Sequence, residues 1–146
     1  MPNEACAIMR RWFDEVWNSG REETIDELLD PSAPIQGLGA AADTVVGTVG
    51  FREFYKQLRG AFGDINIVIN EAIGEGELAS VRWTARATHT GDQLGVPATN
   101  GTVTFTGMTF ARARDGKIVE AWNNWDMMGL MHQLGQTGND AVVQRT

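Results

Sequence analysis

Several absences narrow the field before any pattern is read. The 146-residue chain has one cysteine, Cys6, which excludes an intramolecular disulfide and any multi-cysteine metal site. No histidine stands near Cys6 to activate it, so it reads as a packed helix residue. Histidine is almost as scarce. His89 and His132 are far apart and show no H-E-x-x-H spacing, so no metal is expected. There is no G-x-S-x-G for a serine hydrolase. GLGAAA at 37–42 imitates a dinucleotide loop but lacks the βαβ setting, so no cofactor is expected. Basic residues are few and unclustered: 12 Lys and Arg against 19 Asp and Glu, for a net charge of −7. That balance argues against nucleic acid as a partner. Long apolar runs and basic amphipathic helices are missing, so no membrane association is expected. The first residues lack the continuous apolar stretch of a signal peptide, which makes the cytoplasm the expected location. The Asn100-Gly101-Thr102 triplet therefore carries no weight as a glycosylation site.

What is present is one domain's worth of chain, 1–146, with an ordered core expected over 4–135 and a loose tail at 136–146. Ala5, Ile8, Met9, Trp12, Phe13 and Val16 recur at helical spacing, which predicts a helix over 4–17 closed by Gly20. A second helix is expected at 22–29, with Pro31 as its stop, and a third at 50–62. Residues 31–48 read as loop with a short strand. The period then changes to two: strands are expected at 65–70, 78–90, 101–113 and 117–126, with a tight Asp115-Gly116 turn before the last. A short helix at 127–134 ends at Gly135. Helices followed by a meander give an α+β fold.

Residues two apart on a strand share a face. Ala79, Val81, Trp83, Ala85, Ala87 and His89 form the apolar face of their strand, so His89 is expected to point inward. Counting by twos along the last strand groups Ile118, Glu120, Trp122, Asn124 and Asp126. This places Trp122, Asn124 and Asp126 in the same cavity as His89, with Trp83, Phe54 and Met108 as further pocket residues. Large apolar groups on both faces of the last strand predict a homodimer through the sheet.

Two stretches carry a family resemblance. VRWTARATHTG (81–91) is similar to the strand R-x-T-x-x-G-T-H-x-G of SnoaL-like polyketide cyclases. RARDGKIVEAWNNWDMMGLMHQLG (112–135) resembles that family's R-x-x-D-G-K-I-x-E-x-W-x-x-x-D-x-x-G-L-x-x-Q-L-G. FGD at 62–64 resembles its F-P-D turn, and Ala87 and Gly63 depart from its usual Gly and Pro. The resemblance implies the cone-shaped α+β barrel of the nuclear-transport-factor-2-like superfamily, with a strongly curved antiparallel sheet and a pocket inside the cone. It further implies that Asp126 is the acid/base of an aldol-type ring closure, with His89 as a polar pocket group.

A carboxylate among Trp and Met suits that chemistry, because burial disfavours its charged form and brings it toward a useful proton affinity. His89, Asn124 or the indole of Trp122 would then stabilise an enolate. The competing reading is local: Asp126 also stands where an N-cap belongs, ahead of the 127–134 helix. Three functions stay open: a cofactor-independent enzyme on a small apolar carbonyl compound; an epoxide hydrolase or isomerase on the same fold; or a non-catalytic ligand-binding and dimerisation module. Tyr55, the only tyrosine, lies on a helix, which weakens the isomerase version.

Overall fold

The computed structural model describes residues 3–39 and 44–135. The expected tail at 136–146 and residues 40–42 of the GLGAAA stretch lie outside them. α1 (Glu4–Arg11) starts where the Asn3 side chain accepts the Cys6 N–H at 3.0 Å, satisfying one of the free N–H groups of the first turn. The expected single helix then changes hand-width rather than ending. Trp12–Asn18 is π-helical, with Trp12, Phe13, Val16 and Trp17 all buried. At 3.6 residues per turn, side chains five apart diverge by about 140°. The wider π turn brings Trp12 and Trp17 round to one side, and both pack on Phe51 at ring-centroid distances of 4.8 and 5.9 Å. α2 (Glu23–Leu28) and α3 (Gly47–Ala61) complete the helical layer.

The sheet has six strands in the order β2-β1-β6-β5-β4-β3. β3 (Asn66–Glu75), β4 (Leu78–Thr88), β5 (Thr102–Arg114) and β6 (Lys117–Trp125) form the expected antiparallel meander. The expectation of an all-antiparallel sheet is corrected at one edge. β1 (Pro34–Gln36) lies parallel to β6, pairing Ile35 with Ala121, and antiparallel to the short β2 (Val45–Val46). Gly37 lets β1 leave that pairing. Its φ is +77°, and a Cβ there would sit 1.9 Å from the carbonyl oxygen of Asn123.

The helices pack on the inner face of this α+β fold, against Val81, Ala85 and Val103, each at most 2% exposed. A charged seam holds the outer edges of the helices. Arg11 and Arg21 both bridge Glu15 and Glu27, while Arg52 binds Asp26 and Glu22. The hydrogen bond from Arg11, followed by that from Thr24, pulls the Glu15 carboxyl from its ordinary 4.5 down to about 2. α4 (Met127–Gln133) folds back against β5 through Leu130 and Leu134, both buried. No helix among the described residues is long and apolar enough to cross a membrane.

Candidate functional site

A narrow cavity lies between the π-helical segment, α3 and the inner face of the sheet. Its wall is largely aromatic: Trp12, Phe13 and Trp17 from the π turn, Phe51 and Phe54 from α3, and Trp83, Phe105 and Trp125 from the strands. The free space is about 60 Å³. At ~30 Å³ per water this is room for about two waters, less than the ~150 Å³ of a cavity that takes up benzene. A fused multi-ring skeleton extends beyond it.

Two polar side chains stand in this wall, Thr109 and Asn123. They belong to one chain of hydrogen bonds. The Trp83 indole N–H donates to Thr109 Oγ1 at 3.1 Å, and the Thr109 hydroxyl donates to Asn123 Oδ1 at 2.8 Å. Asn123 Nδ2 donates to the Gln36 carbonyl at 3.1 Å. An indole N–H only donates and a carbonyl only accepts, so both ends fix the direction of the chain and the orientation of the Asn123 amide. The Trp125 indole N–H is spent on the Leu38 carbonyl at 2.9 Å. Among the described residues no ionisable side chain lines the cavity, and no group of three His, Cys, Asp or Glu is placed to hold a metal.

The structure brings Trp83 and Phe54 to the cavity as the sequence suggested, but it turns the last strand over. Arg112 pairs with Glu120 and Ala113 with Ile118, so Val119 is an extra residue, a β-bulge. One extra residue exchanges the faces of everything beyond it. Ala121, Asn123 and Trp125 therefore face the cavity. Trp122 lies on the outer face, its ring 5.7 Å from Phe110, and Asn124 is exposed. Met108 pairs with Asn124 on that outer face and is 55% exposed, so it is not a pocket residue either.

Asp126 is exposed, not dry. Its Oδ1 accepts the Gly129 N–H at 2.8 Å as the N-cap of α4. A Cβ on Gly129 would lie 2.1 Å from Asp126 Oδ2, so the carboxylate occupies the space a side chain would need. The rest of the motif reads the same way. Gln133 bonds the Thr104 N–H and C=O at 2.9 and 2.7 Å, completing β5 where β6 has not yet reached it. Asp126 also borders a shallow outer groove with Arg82, Thr106, Gly107, Met108 and Asn124, and Trp125 is common to groove and cavity.

His89 is fully buried, as strand parity foretold, yet it is not part of the cavity wall. Its ring packs on Phe62 at 5.5 Å. Nδ1 accepts the Thr99 N–H at 3.2 Å, which places the ring proton on Nε2, and that nitrogen has no partner among the described residues. His89 thus fastens the 99–101 turn to the end of β4.

The sequence reading missed Thr109, Asn123, Trp17 and Trp125. Thr109 was within reach, because it continues the inward alternation Val103, Phe105, Gly107. Asn123 and Trp125 were hidden by the bulge, and Trp17 by the π turn.

A helical layer over a curved sheet, enclosing an aromatic cavity with a neutral polar pair, defines a fold of the cone-shaped α+β type. The model of the SnoaL-like polyketide cyclases matches residues 7–134, and the chain belongs to that family. Among solved structures it is similar to IdmH from Streptomyces antibioticus, described as a candidate polyketide cyclase. The two share 28% identity over 91% of this chain and 99% of that one, with a TM-score of 0.79. A SnoaL-like protein from Jannaschia, 22% identical, has the same fold at a TM-score of 0.81 over 90% of this chain and 91% of that one. AclR from Streptomyces galilaeus, described as a candidate hydroxylase, aligns at 24% identity and a TM-score of 0.79, over 91% and 96%. A search of curated proteins gives no match.

Proposed function

We propose that the chain is an enzyme of the polyketide-cyclase type that takes an uncharged, largely apolar carbonyl compound into the aromatic cavity and promotes ring closure there. The observation that carries this reading is the wall itself: eight aromatic side chains around the neutral pair Thr109 and Asn123. Such a wall fixes a flexible chain by shape and by one or two hydrogen bonds, and holding two reacting carbons together is a large part of a cyclisation barrier.

A second reading keeps Asp126 as acid/base. Its support is the outer groove, where the carboxylate stands one side chain, Trp125, away from the cavity. Turnover of an uncharged diketone that closes by aldol addition, followed by chromatography, separates the two. Asn caps a helix about as well as Asp, so Asp126→Asn leaves α4 in place. Retained turnover supports closure within the cavity; complete loss with an intact fold assigns the proton transfers to Asp126. Binding without turnover in the unmodified protein overturns the enzymatic reading and leaves a ligand-binding module.

The outer face supports a partner as well. Ile73, Met108 and Phe110 are 73%, 55% and 41% exposed there, and a second copy of the chain would cover them. Sedimentation of the protein as a monomer at micromolar concentration would remove this part of the proposal.

A further inference from the structure

Four hydrogen-bonding valences of Thr109 and Asn123 are already used within the protein. Thr109 Oγ1 accepts from Trp83 and donates to Asn123. Asn123 Oδ1 accepts that proton, and one Nδ2–H goes to the Gln36 carbonyl. A hydroxyl offers one donor and two acceptor sites, and an amide two of each. What remains is one lone pair on Thr109, one lone pair on Asn123 and one N–H on Asn123. These stand side by side in a wall that is otherwise apolar, save for indole edges.

We propose that Thr109 and Asn123 form a seat for a single neutral oxygen, a hydroxyl or carbonyl, on the end of the ligand that enters the cavity. The seat presupposes the small-molecule cavity proposed above. A carbonyl oxygen accepts the free Asn123 N–H. A hydroxyl accepts the same N–H and donates to either free lone pair. A carboxylate is refused, because it would lose its water without meeting a counter-charge among the described residues of the wall. An unsubstituted hydrocarbon enters but leaves the pair unmatched. The fixed direction of the chain from Trp83 to Gln36 makes the seat rigid, so it selects by position as well as by chemistry. Bulk selects too: the free space is about 60 Å³, so one ring enters only as the side chains of the wall shift, and a fused pair is disfavoured further.

Phenol, toluene and benzoate share one ring and differ in the group presented, and ligand-detected NMR titration of the intact protein gives their Kd values. The unmodified protein should bind phenol about three- to tenfold tighter than toluene, the range of one net hydrogen bond, and benzoate weakest. Thr109→Val removes one free lone pair and the hydroxyl that holds the Asn123 amide in place, and should lower the phenol-to-toluene ratio; Thr109→Ser should restore it. A residue that merely supported the fold would weaken both ligands alike. Asn123→Ser removes the free N–H while leaving the Trp83 indole paired, and should lower the same ratio, so poor folding of Thr109→Val does not shelter the proposal. Equal binding of phenol and toluene, or a preference unchanged in Thr109→Val and Asn123→Ser, overturns the seat and leaves the cavity standing. Benzoate binding as tightly as phenol overturns the neutral selection. Failure of both phenol and toluene to bind overturns the cavity reading and the seat with it.

Discussion

Replacing Asp126 tests the residue on which a catalytic role and a structural role compete most directly. In the structure its work is specific: Oδ1 accepts the Gly129 N–H at 2.8 Å and closes the first turn of α4. Losing an N-cap oxygen costs about 1 kcal/mol, with a span of ~0.5–2. α4 has only seven residues, too short to stand without tertiary support. That support is present: Leu130 and Leu134 are 0% and 4% exposed, and Gln133 is tied twice to Thr104. The helix should therefore stay docked and the cost remain near 1 kcal/mol. For a domain of this size that corresponds to a fall in Tm of about 3–4 °C. Asp126→Asn keeps an acceptor at the same place and should lose only a few tenths of a kcal/mol. Thermal unfolding followed by circular dichroism, with hydrogen exchange at Gly129, reads both variants. If Asn proves as costly as Ala, the carboxylate charge matters more than its acceptor oxygen. If Ala costs nothing, the cap carries no stability and the structural account of the motif fails.

Other substitutions test the remaining joints. Gly37→Ala places a Cβ 1.9 Å from the Asn123 carbonyl oxygen at a φ of +77°; a loss of about 3 kcal/mol or more in urea unfolding is expected, and a near-neutral result would remove the close approach of β1 to β6. Gly107→Ala drives a methyl to 2.3 Å from the Trp83 ring and 2.7 Å from Trp125 Cβ; a cost of ~1–3 kcal/mol is expected, with altered tryptophan fluorescence, and unchanged emission would contradict the packing of the two indoles. Glu15 contributes stability in its charged form. Its carboxyl is held at about 2 against an ordinary 4.5, so this contribution is complete above about pH 4.5 and is lost as pH falls toward 2. Glu15→Gln should flatten the acid limb of stability across that window, and an unchanged limb would show that the Arg11 bridge contributes nothing.

The helices, the four long strands and the inward face of β4 follow from period and turn chemistry alone. Apolar residues at helical spacing mark α1 and α3, and Asp115-Gly116 marks the β5–β6 turn. The resemblance of residues 112–135 to the family motif named the fold. Illegible parts were those where one residue changes the count. Asn70 and Val119 are each skipped by the pairing, and no local chemistry announces either skip. The π turn is equally silent, because residues 4–17 fit an α pattern without it. A short strand within 31–48 was expected, but its parallel partner was hidden: two residues pairing with a strand more than eighty positions away leave no periodic trace. The site suffered where it depends on these irregularities: Trp17 on the π turn, and Asn123 and Trp125 on the bulge.

The extra residue at Val119 has a consequence for comparing members of this family. Beyond it, the side of the sheet that each residue takes is set by its neighbour on β5, Ala121 by Ala111 and Asn123 by Thr109. Distance from the hairpin does not set it. Shortening the arm by deleting Val119 would join Ile118 to Glu120 in regular pairing and leave Asn123 and Trp125 where they are. The lining of the chamber is thus insulated from insertions and deletions in the arm. A residue count from the Asp-Gly turn that ignores Val119 would assign Asn123 and Trp125 to the wrong side, so relatives that differ in length here are matched from their pairing with β5.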